Sequence, residues 1–96
     1  MKLNTEHKKH IKRYALMDVA QRFYDKPIDR LDFEIRADGA MFLVLIGLRR
    51  SNGNLDTNWS LESKPLSKAD AEALVTDAKL YASNIVERFE DILEDY

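Results

Sequence analysis

At 96 residues, 45% of them hydrophobic, the chain can bury one modest core but has no length for a second, so a single domain over residues 1–96 is expected. Cysteine is absent, which excludes a disulfide framework, a thiol nucleophile and a thiolate metal site, and fits the cytoplasm. The formal net charge of −2 conceals a gradient: residues 1–26 hold seven basic and three acidic side chains, 27–66 five and six, and 67–96 three and eight.

The first ten residues, Met1 to His10, are basic but carry no apolar stretch behind them, so export is not expected. From Asn4 or Thr5 to Asp25, apolar residues recur at helical spacing in the row Ile11, Ala15, Leu16, Val19, Ala20 and Phe23, which predicts an amphipathic helix. Asn4 or Thr5 can cap its start, and Pro27 disfavours helical geometry at Lys26. The first two turns are almost wholly polar and are expected to fray or project from the core.

Leu31 to Arg36 alternates apolar and charged residues, the pattern of a strand with one buried face made by Leu31, Phe33 and Ile35. Asp38-Gly39 supplies a tight hairpin turn, so the next strand runs antiparallel. That strand, Met41 to Leu48, is apolar on both faces and suits the centre of a sheet. At about nine residues, the apolar run from Ala40 is roughly half of what a helix needs to cross a bilayer, so no membrane partner is expected. After a second turn at Ser51 to Asn54, the residues Thr57, Trp59 and Leu61 alternate with Asn58, Ser60 and Glu62 as a third strand.

Ser67 followed by Asp70 has helix N-cap spacing, with Leu66 placed as a hydrophobic staple. The helix that follows carries the row Ala71, Val75, Ala78, Ala82, Ile85, Phe89, Ile92 and Tyr96, widened by Leu74, Tyr81, Val86 and Leu93. At about 1.5 Å per residue it reaches roughly 45 Å, against about 23 Å for a seven-residue strand. The fold class is therefore α+β in the order α-β-β-β-α: a three-stranded antiparallel meander packed with two helices, the C-terminal one long.

Two apolar surfaces look larger than their covering. Phe89, Ile92, Leu93 and Tyr96 extend the last helix beyond a short sheet, and either the first helix or a partner, including a second copy of the chain, must cover them. Met41, Leu43 and Leu45 form a strip on the far sheet face between charged neighbours. One helix on each face, or rim side chains folded across, would cover that strip; two helices on one face would leave it open.

Lys8, Lys9, Lys12 and Arg13, with Arg49 and Arg50 at the second turn, could hold phosphates, which makes nucleic acid the alternative partner. The order helix, three strands, helix is similar to that of the double-stranded RNA-binding domain, and Ser67-Lys68 resembles the start of that family's serine-lysine-lysine segment. The resemblance spans most of the chain, and in that family lysines at the helix start grip phosphates. Here Asp70 and Glu72 follow Lys68, and Ser63-Lys64-Pro65-Leu66 replaces the family's glycine-rich approach, so the function is not carried over.

His7 and His10 share a helix face but read as a solvated pair rather than metal ligands. The glycines form no phosphate loop and no nucleophile, base and orienter assemble by motif, so no catalytic residues, cofactor or metal are expected. Glu87, Glu90, Asp91, Glu94 and Asp95 recur at three and four, as the solvent stripe of a helix or as an imitation of a phosphate row. The expected function is a small non-enzymatic protein-binding module, an inhibitor or regulator that blocks a partner protein's surface and comes from a phage or mobile element.

Overall fold

The computed structural model describes residues 2–21, 30–56 and 59–94, with 90 and 92–94 described by backbone alone. Its elements are α1 (Thr5–Gln21), β1 (Arg30–Asp38), β2 (Met41–Arg49), β3 (Trp59–Ser60) and α2 (Lys68–Glu94). The strands form one antiparallel sheet in the order β1-β2-β3, so the strand that is apolar on both faces is the central one, as its composition predicts. No helix among the described residues is long and apolar enough to cross a membrane. Phe23 and Thr57 lie outside the described residues.

The register of β1 with β2 sorts the side chains by face. Leu31 faces Leu48, Phe33 faces Ile46 and Ile35 faces Val44 on one side; Asp32 faces Gly47, Glu34 faces Leu45 and Arg36 faces Leu43 on the other. Asp38 and Met41 close the hairpin around Gly39-Ala40, and Gly39 has φ 65°. That left-handed conformation is what the tight turn demands at its first central position. An added Cβ at Gly39 meets no atom within 4 Å, so Gly39→Ala costs only backbone strain. We expect a loss of about 1 kcal/mol, read as a lower denaturation midpoint at unchanged slope.

The third strand is shorter than its alternation predicts. Beyond Trp59–Ser60, the Leu61 amide reaches the Val44 carbonyl at 2.7 Å, and the next contact with β2 is the two-way pairing of Leu66 with Phe42 at 2.7 and 2.8 Å. Two residues of β2 are thus matched by five of its partner, and the segment between bulges away. Pro65 has no amide for a ladder, and Glu62 is held by α1, so neither can complete a regular strand.

Both helices lie on the Phe33 face of the sheet. Ile11 of α1 and Ala71, Leu74, Ala78 and Ala82 of α2 join Phe33, Val44, Ile46 and Leu61 in one buried cluster. Ser67 caps α2 as predicted, its Oγ accepting the Asp70 amide at 3.2 Å. Leu74 is fully buried, whereas Val75 is half-buried, so the stripe centres one residue earlier than the predicted row. In α1, Ile11, Ala15 and Val19 are buried but Leu16 is 55% exposed, because α1 rests on both the sheet and α2 through a narrower face than its row implied.

Candidate functional site

Because both helices occupy one face, the arrangement of one helix per face is overturned, and among the described residues no helix lies over the opposite face. Along β2 the strip grades from Met41, 41% exposed, through half-buried Leu43 to Leu45, 3% exposed. Leu45 sits in the central strand, with Glu34 opposite on one side and Ser60 on the other. The charges beside the strip are paired with each other. Arg36 meets Glu34 at 2.7 Å, and Arg49 Nε donates to Asp32 Oδ2 at 3.0 Å. These pairs neutralise the rim. The open part of the surface is therefore Met41 and Leu43 with a charge-balanced border.

At the far end of α2, Ile85 is buried and Val86 and Phe89 are half-buried. Ile92 and Leu93 belong to the helix but their side chains, and all of Tyr96, lie outside the described residues. Of the acidic stripe, Glu87 and Asp91 are exposed; the side chains of Glu90 and Glu94 and all of Asp95 lie outside the described residues.

The basic residues do not converge. Lys8, Lys9, Lys12 and Arg13 are exposed on α1, with the Lys8 ammonium 5.7 Å from the Tyr81 ring centre on α2. Arg49 projects from the opposite sheet face, held by Asp32 and by the Gly53 carbonyl at 2.9 Å, and Arg50 pairs with Asp56. The helix cations and Arg49 thus lie on different sides of the molecule.

Sequence reasoning missed the joint between α1 and the loop after β3. His7, read as solvated at a fraying end, is 2% exposed. Asn4 Oδ1 accepts the His7 amide at 2.8 Å, and His7 Nδ1 accepts the Asn4 amide at 3.2 Å. This is a reciprocal capping box with histidine in the place of the usual glutamate. With Nδ1 acting as acceptor, the ring proton sits on Nε2, which donates to Glu62 Oε2 at 2.7 Å. The signal was present as Asn4-x-x-His7, but a residue 55 positions away completes it.

The joint floors an open cleft of about 470 Å³ whose wall includes Trp59, 52% exposed, with its ring centre 5.3 Å from that of His10. Both ring nitrogens of His7 are engaged, so the ring has no free nitrogen to take a proton from a hydroxyl in the cleft. A second cleft, about 380 Å³, lies between β1 and α2 beside Asp18. Asp18, 4% exposed, accepts the Leu31 amide at 2.8 Å and faces Arg30 at 3.6 Å, tying α1 to the first residues of β1. Among the described residues, no group of three or more histidine, aspartate or glutamate side chains is placed to hold a metal ion.

No protein-family model matches this chain, and neither a curated protein nor a solved structure is significantly similar to it.

Proposed function

We propose that this chain is a non-enzymatic protein-binding module that works in the cytoplasm by covering a surface of its partner, as an inhibitor or regulator does. The reading rests on one observation: both helices pack on the same side of the sheet, leaving Met41 and Leu43 on the other side inside a border of paired charges. An apolar centre with a polar, charge-balanced rim is the anatomy of a protein interface. The partner it suits presents an apolar patch, because the rim has already neutralised itself and offers no strong field to a highly charged surface.

The test is affinity capture of proteins by the wild-type chain and by a Met41→Glu, Leu43→Glu double variant, each with and without nuclease. Two carboxylates at an interface centre are expected to weaken capture of a specific partner by a hundredfold or more, about 3 kcal/mol, with little change in thermal stability because both positions retain solvent contact. Equal capture by a folded double variant sinks the reading. Loss of all partners on nuclease treatment of the wild type would instead favour nucleic acid held by the cations of α1.

A further inference from the structure

The outer edge of β1 is half protected and half open, and the open half is complementary to itself. Hydrogen-bond direction alternates along β1: with Asp38 and Met41 closing a two-residue hairpin, the even residues from Arg30 to Asp38 bond to β2 and the odd ones point outward. The side-chain bonds agree, since the Leu31 amide is taken by Asp18 and the Phe33 amide by Asp32 Oδ1, each at 2.8 Å. Further along, the outward amides of Ile35 and Ala37 have no hydrogen-bond partner among the described residues. Ile35 is 37% exposed, and Arg36, Ala37 and Asp38 are exposed. No proline or bulge interrupts this stretch, two of the devices by which strand edges are blunted; its charges, Glu34, Arg36 and Asp38, are of both signs.

We infer that a second copy of the chain pairs antiparallel on this edge, β1 to β1, with the two-fold axis at Ile35. The register follows from chemistry. Only odd residues carry outward bonding groups, so an odd residue must face an odd residue. Centring the axis on Arg36 sets two arginines against each other, and centring it on Glu34 sets two glutamates together. Centring it on Ile35 places Glu34 opposite the partner's Arg36 twice, Ile35 against the partner's Ile35, and large Phe33 against small Ala37. Each Ile35 amide then reaches the partner's Ile35 carbonyl and each Ala37 amide the partner's Phe33 carbonyl, which gives both orphan amides an acceptor. Asp32 meets the partner's Asp38 at the ends, where Asp32 is already paired with Arg49. The product is one continuous six-stranded sheet carrying two copies of the Met41 surface on the same face.

The test is sedimentation equilibrium on the full chain and its charge variants. The wild type should be a dimer in reversible equilibrium with monomer. Glu34→Arg and Arg36→Glu, each of which turns both cross-strand pairs repulsive, should each weaken association about tenfold or more while leaving circular dichroism unchanged. The double exchange Glu34→Arg with Arg36→Glu should restore it, which a purely structural role for either residue does not predict. Amide exchange at Ile35 and Ala37 should slow as concentration rises. A chain that stays monomeric at millimolar concentration overturns the inference. So does a dimer indifferent to both single reversals, or one abolished by Ile92→Asp and not by them, which would place the contact on the last helix.

Discussion

Leu74→Ala is expected to remove about 3 kcal/mol of stability and lower the melting temperature by roughly 15 °C. Leu74 is fully buried in the cluster that joins α1, the sheet and α2. Alanine is at least as good a helix former as leucine, so the loss cannot come from local propensity and must come from emptied core volume. For a domain of 96 residues, whose total stability is on the order of 5–14 kcal/mol, that is a large fraction of what holds it folded. The control lies six residues along the same helix. Leu80 is 66% exposed, and Leu80→Ala should shift stability by no more than about 0.5 kcal/mol. Denaturant melts of the two variants compare identical chemistry on opposite faces of α2, and equal losses would refute the assignment of its buried face.

Much of this was legible in the sequence, for a definite reason. Period-two alternation in β1 and three-four spacing in α2 record which side of each element avoids water, and those sides proved to be the buried ones at Phe33, Ala71, Ala78 and Ala82. Periodicity does not record which side of a sheet an element returns to. An apolar Leu45 reads the same whether or not a helix covers its face, and here it is buried on the face away from the helix-packed cluster. That ambiguity is why the sequence permitted a helix on each face while the structure has both on one. The third strand is present but ends earlier than its alternation suggests, for another reason. Its alternation is real at Trp59 and Leu61, but register depends on where the chain can rejoin β2, and the pairing resumes only at Leu66.

The candidate surfaces divide along the same line. Met41 and Leu43 were legible because a two-faced apolar strand must put something on the side away from the core. The open edge of β1 was not, since the capping of Leu31 and Phe33 and the exposure of Ile35 depend on Asp18, Asp32 and the hairpin register together. The basic groups illustrate the converse: cations separated in sequence but similar in chemistry invite being read as one surface, and the fold sets Arg49 and the α1 lysines on different sides.

His7 carries the other large expected effect. His7→Ala removes the acceptor of the Asn4 amide, the donor to Glu62 and a buried ring in one step, and should cost about 2–3 kcal/mol. The three contributions can be separated. Glu62→Gln keeps a side-chain oxygen to accept from Nε2, so it should cost less than about 1 kcal/mol, whereas Glu62→Ala leaves the buried N–H without a partner and should cost about 1–2 kcal/mol. His7→Gln restores an acceptor for the Asn4 amide, the usual capping-box chemistry, without reaching Glu62, and should fall between the wild type and His7→Ala. A double-mutant cycle between His7→Ala and Glu62→Ala should show the losses to be strongly non-additive, because each single variant already breaks the same bond. Amide exchange at His7 and Lys8 should quicken in His7→Ala, since the Lys8 amide closes the first turn onto the Asn4 carbonyl at 3.1 Å. If His7→Ala instead behaves as an ordinary surface change, within about 0.5 kcal/mol, the polar start of α1 is not docked on the sheet, and the wall that positions Trp59 and its cleft is lost with it.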